Sequence, residues 1–152
     1  AHWMYEKALR PQVSQGDVFD QVPITYVSPG SATEPPVPRV VLTRAIVMTH
    51  DCEYDKPNCD FVIVAEIRRL DEVAHNSRGN VRERRTRNTF FLDSVPSMME
   101  ESFVDFRRLE RIHKSIIQGL AGSGHRVVSL TDDARAALQW QVAVFFGYGR
   151  QG

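Results

Sequence analysis

VVLTRAIVMTHDC, residues 40–52, decides the fold reading. Its apolar, β-branched residues describe a buried strand running to about Met48. The strand stops abruptly at Thr49-His50-Asp51-Cys52, where four reactive side chains gather as the chain turns toward solvent. After a turn built on Asp55, Pro57, Asn58 and Asp60, a second strand follows at about 61–67, FVIVAEI.

Outward from this pair the chain reads as short strands separated by turn residues. Val22, Ile24 and Tyr26 alternate at period two, and Pro23 among them predicts an edge position or a bulge, because proline cannot donate to the ladder. Residues 28–38, SPGSATEPPVP, are rich in breakers and predict a surface loop. Residues 76–87, NSRGNVRERRTR, hold five arginines against one glutamate with almost nothing apolar, which predicts a mobile loop over about 76–88. Strand character returns at Asn88–Leu92 and over Ser102–Leu109; beyond Leu109 the spacing of Ile112, Ile116 and Leu120 predicts an irregular or helical piece through Ile117, then a turn over 119–124. A short strand follows at Arg126–Leu130. The clearest helix is the last, capped by Thr131, with Asp132 and Asp133 at its positive end and an apolar stripe of Ala134, Leu138, Val142 and Phe145 before Gly147. Ala1-His2-Trp3 is set outside the fold. These elements predict a single domain over residues 1–152, mainly β, a small, strongly bent barrel with a packed C-terminal helix.

Composition narrows the function. At 152 residues, 42% hydrophobic and 25% charged, the chain can bury a core without staples. The formal net charge is zero, so any electrostatic partner must be met by a local patch. No apolar run is long enough for a membrane span and no export signal is evident, so a cytoplasmic protein with no membrane partner is expected. In that compartment Cys52 and Cys59 are free thiols.

The order of pieces resembles the MazF/PemK family of toxin endoribonucleases. Gly16-Asp17-Val18 is similar to that family's opening strand, Arg44–Asp51 to its RPAVVLS-x-D strand with alanine in place of proline, and Phe61–Ile67 to its VIV-x-PIT strand. Phe103–Ile112, Arg126–Leu130 and the Thr131-Asp132-Asp133 helix start parallel its closing strands and helix. The chain also looks like a group of bacterial and phage proteins with a strand-end S/T-x-DC signature and a VDFRR strand. The MazF/PemK resemblance implies an SH3-like barrel with a C-terminal helix (an α+β fold), a homodimer, single-stranded RNA as substrate and an antitoxin as protein partner. The family's catalytic arginine matches Arg44, whereas its catalytic threonine would fall after Ile67, where this chain has Arg68.

Three chemistries follow from the residues. Metal-independent RNA cleavage needs a base, an acid and a cation on the phosphorane; Arg44, Thr49, His50 and Asp51 are the candidates, with Arg78, Arg82, Arg84, Arg85 and Arg87 as phosphate clamps. Alternation puts Arg44 and His50 on one face, but some 20 Å apart if the strand is straight, so they meet only if it bends. Against this stands the plainer reading, in which Thr49 and Asp51 cap the turn and Cys52 is a small core residue. The second chemistry is a non-catalytic interaction module on the same barrel. The third is a zinc or thiol site at His50, Cys52 and Cys59, with His75 or Asp60 as a fourth ligand; the repeated C-x₂-C pairs of structural zinc sites are absent, so no cofactor and no metal are expected.

Overall fold

Register breaks in β1 and β3 decide how this sheet bends. The computed structural model describes residues 3–147. It contains the strands β1 (Asp17–Ser28), β2 (Val37–Val47), β3 (Phe61–Arg69), β4 (Thr89–Leu92), β5 (Ser102–His113) and β6 (Arg126–Ser129). The helices are α1 (Asp51–Tyr54), α2 (Arg78–Arg82), α3 (Lys114–Gly122) and α4 (Asp132–Phe145). The strands form one six-stranded antiparallel sheet in the order β4-β5-β3-β2-β1-β6. The fold is thus mainly β with a C-terminal helix, an α+β architecture.

Pro23 sits where its chemistry allows. β6 pairs with β1 only at Asp17–Phe19, so beyond Phe19 that edge of β1 has no strand beside it. The register between β1 and β2 shifts between Phe19 and Val22, with Gln21 at φ 63°. The bend carries the far half of β1 over β3 and β5: the Thr25 N–H donates to Glu110 at 3.3 Å, and the Tyr26 hydroxyl to Glu66 at 2.5 Å.

The sheet buries both faces. On one, Ile46, Ala65, Phe90, Val104 and Phe106 pack beneath Ala134 and Leu138 of α4. On the other, Phe19, Val22, Val47, Val64 and Ile112 pack with Ile117 of α3. Neighbouring residues of β2, Ala45, Ile46 and Val47, therefore serve opposite cores, which is why that stretch is apolar without a break. α4 is as the stripe predicts: the Thr131 hydroxyl accepts from the Ala134 N–H at 3.2 Å, and Gly147 takes φ 92° just past the end.

Several elements differ from the sequence reading. β2 begins at Val37, inside the segment read as loop, because it pairs with β1 as far as Ser28↔Val37. β5 runs to His113 and α3 then continues to Gly122, so the strand is longer, and the helix later, than the spacing of Leu109, Ile112 and Ile116 suggests. A register break between Ala65 and Glu66 of β3, where β5 jumps from Leu109 to Asp105, hides the period of the strand. The segment 76–88 carries a 3₁₀ turn at His75–Ser77 and α2, anchored by Val81 packed with Leu70, Phe91 and Phe103. Trp3 belongs to the fold: the Arg84 guanidinium lies 5.0 Å from its ring centroid, and its carbonyl accepts from the Thr131 hydroxyl. Ala1 and His2 lie outside the described residues.

Candidate functional site

The corner after β2 is built from polar contacts, most of them half-buried. The Gln15 side chain, 4% exposed, donates to the Met48 carbonyl at 2.9 Å and accepts from Gln139 of α4 at 2.6 Å. Asp51 accepts from the Gln15 N–H at 2.7 Å and from Arg135 at 2.9 Å. The Thr49 hydroxyl accepts from the Ile63 N–H at 2.8 Å. Thr49 and Asp51 therefore hold the turn in place, and both have their acceptor oxygens engaged. His50 is exposed, with no side-chain hydrogen bond to the helix it caps.

Arg44 and His50 do not share a site. β2 and β3 pair only over Ala45–Val47, and beyond Ala45 they splay around a polar cleft of about 320 Å³ that holds Arg44, Arg68 and Arg69. Arg44 is committed there, donating to Asp20 at 2.7 Å and to the Met98 carbonyl at 3.2 Å. The cleft's three arginines face Asp20, Glu66, Glu72 and Glu100, so its cations are outnumbered by acids. His50 lines a different depression, beyond the other end of the paired stretch. The bend that cleavage by this pair requires is not made.

The arginines of the 76–88 segment are also engaged. Arg78 donates to the carbonyls of Val73 and Asp71 at 2.9 and 3.0 Å, and Arg82 grips Glu101 through two bonds at 2.9 and 3.2 Å. Arg84 stacks 4.9 Å from the Phe90 ring centroid, and burial lowers its pKa. Arg85 pairs with Glu83 at 2.9 Å, and Arg87 donates to the Val144 carbonyl at 3.0 and 3.3 Å. Arg78, Arg82, Arg84 and Arg87 fasten the segment to the body, whereas Arg85 pairs only within it. The segment expected to be a mobile cationic arm is tied down by four of its five arginines.

The zinc reading meets the same obstacle. Among the described residues no three His, Cys, Asp or Glu side chains converge to hold a metal ion, so His50, Cys52 and Cys59 do not form a ligand set, with or without His75 or Asp60. Both thiols are free; Cys52 is exposed, and the Cys59 thiol donates to the Phe61 carbonyl at 3.2 Å.

The depression that His50 borders is an apolar groove of about 560 Å³. Its floor is the face of β3 and β5 that α4 leaves uncovered, with Ala65↔Leu109 and Ile63↔Arg111 directly opposed. Met48 and the corner make one wall, Gln139, Val142 and Phe146 the other, and Phe106 lies at its buried end. Ile63, Leu109 and Phe146 are 37%, 40% and 57% exposed, so the groove presents apolar side chains to solvent. The groove's β5 and α4 residues are not among the site candidates read from the sequence, where Leu109 stands as an apolar residue among the charged Arg107, Arg108, Glu110 and Arg111 and Val142 belongs to the stripe of the last helix.

No protein-family model matches the chain, and no curated protein sequence is significantly similar to it. No helix among the described residues is long and apolar enough to cross a membrane.

Proposed function

We infer that this protein is a non-catalytic interaction module whose barrel-like sheet receives a segment of a partner protein in the groove beside His50. The observation that carries this reading is the groove itself: a concave apolar surface of about 560 Å³ rimmed by polar groups, the usual form of a recognition site. The nuclease reading lacks a comparable support, since Arg44 is bonded to Asp20 in a cleft away from His50. The test is a selection of displayed peptides on the immobilised protein, with Leu109→Asp and Val142→Asp as counter-targets. Peptides that bind the parent and neither variant support the module. Selected peptides that bind all three equally sink it, as does magnesium-independent cleavage of a long single-stranded RNA that Arg44→Ala and His50→Ala each abolish.

A further inference from the structure

Resting on the interaction-module reading, the charge layout of the groove says what its occupant looks like. Leu109 and Arg111 are alternate residues of β5 and lie on the same face, with Ile63 opposite Arg111 and Phe61 opposite His113. Arg111 is exposed, and its guanidinium lies 3.7 Å from the centroid of the Phe61 ring. Among the described residues it makes no ion pair and no side-chain hydrogen bond. Stacking fixes the guanidinium plane while leaving its N–H edge free to donate, the arrangement that suits a planar carboxylate.

The two acids that line the groove with it each hold another partner. Glu53 is taken by Lys56 at 2.6 Å, and Glu110 accepts from the Thr25 N–H at 3.3 Å. At the other end, the side chains of Gln15 and Gln139 bond each other, and Gln15 also bonds the Met48 carbonyl. That end therefore presents Phe106, Leu109 and Val142 with their polar neighbours already occupied. Alternate residues of a strand are roughly 7 Å apart. A single residue carrying both a bulky apolar side chain and a carboxylate spans such a distance. A sugar phosphate offers its anion to Arg111 equally well but brings polar hydroxyls against the apolar Phe106, Leu109 and Val142.

We propose that the groove binds the C-terminal residue of a partner polypeptide, its apolar side chain between Phe106, Leu109 and Val142 and its α-carboxylate on the stacked Arg111 guanidinium. The test is methyl NMR titration of the full chain with three acetylated hexapeptides of Gly and Ser. The first ends in Leu with a free carboxyl, the second is its amide, and the third is an amide with an internal Leu-Asp pair. The free acid shifts the methyls of Ile63, Leu109 and Val142 and binds at least about ten-fold more tightly than either amide, as expected for one charge-assisted contact. Arg111→Gln, whose unchanged methyl spectrum reports an intact fold, brings the free acid down to the level of its amide. Equal binding of acid and amide within the groove overturns the carboxylate assignment and leaves the module standing. Equal binding of the internal Leu-Asp peptide overturns the chain-terminus assignment, and tighter binding of adenosine monophosphate in the groove overturns the polypeptide. If no peptide, including those selected by display, shifts a groove methyl, the module reading falls with it.

Discussion

Asp51, at the start of α1, and Arg135, in the first turns of α4, are joined at 2.9 Å, and the same carboxylate takes the Gln15 N–H at 2.7 Å. One side chain thus ties the corner after β2 to the entry of β1 and to the C-terminal helix. Its side chain is 38% exposed and that of Arg135 15%, so solvent weakens the pair without removing it. Bonds to charged groups contribute about 1.5–3 kcal/mol when well formed. Asp51→Ala is expected to lower stability by about 2 kcal/mol in urea denaturation, and Asp51→Asn, which keeps one acceptor, by about half as much. An unchanged urea midpoint for Asp51→Ala would mean the corner is held by other contacts.

Arg85 and Arg87 are close in sequence and differ in what they hold. Arg87 donates twice to the Val144 carbonyl, among the last of α4, where the helix dipole favours a cation. Arg85 reaches only its neighbour Glu83, and its side chain is 69% exposed. Arg87→Gln is expected to cost about 1 kcal/mol, read as a lower thermal midpoint, and Arg85→Gln less than about 0.5 kcal/mol. Equal effects would refute the distinction between a fastener and a surface pair.

The strands were legible where β-branched apolar residues run together, as in Val40–Met48 and Phe61–Ile67, and α4 was legible because cap, charge and stripe agree. Legibility failed where tertiary contacts overrule local composition. Val81 is the one apolar residue between Ala74 and Phe90, yet its burial with Leu70, Phe91 and Phe103 orders a segment that composition marks as a loop. The register break in β5 separates Phe106 from Leu109, so the two groove residues fit no strand period. The site suffered most, because it depends on which strands splay. Arg44 and His50 share a face on an ideal strand, but the separation of β2 from β3 beyond Ala45 puts Arg44 in a cleft of its own.

Tyr26 offers a test by pH. Burial first, then its hydrogen bond to the Glu66 carboxylate, pushes its pKa up to about 12. A phenol whose folded pKa lies above its unfolded value of about 10 stabilises the fold fully below pH 10 and loses that contribution as pH rises through about 12. Tyr26→Phe should therefore be less stable than the parent at pH 8, with the difference shrinking above pH 10. Denaturation series at pH 8, 10 and 11.5 decide this, and a constant difference across them would rule out the linkage. Tyr54 is pushed up to about 12 by burial as well, so the parent's loss of stability at high pH is reduced, not abolished, in Tyr26→Phe.

The two thiols should behave independently. Cys52 is exposed on the single turn of α1, whereas Cys59 is partly buried and donates to the Phe61 carbonyl. Titration with a disulfide reagent is expected to show two reactive groups, Cys52 the faster, with Cys52→Ser removing the fast phase. Because no ligand set converges on them among the described residues, a chelator should leave the thermal midpoint unchanged. A drop on chelation would bring the zinc reading back.

Gly16 joins the fold to the groove. Its N–H donates to the Val47 carbonyl at 2.9 Å and its carbonyl accepts from the Leu130 N–H at 3.2 Å, so it bridges the ends of β2 and β6 at φ 88°. A Cβ there would lie 3.1 Å from both the Arg135 Cγ and the Leu130 Cβ, in a conformation side chains rarely adopt. Leu130 is fully buried and cannot retreat, so the strain falls on Arg135 and, through it, on Asp51 and the corner. Gly16→Ala is expected to cost about 1–3 kcal/mol and to shift the Met48 methyl signal in the groove wall, while the Val81 methyls in the separate cluster with Phe91 stay in place. Loss of stability with an unmoved Met48 signal would show that the strain is absorbed before it reaches the groove.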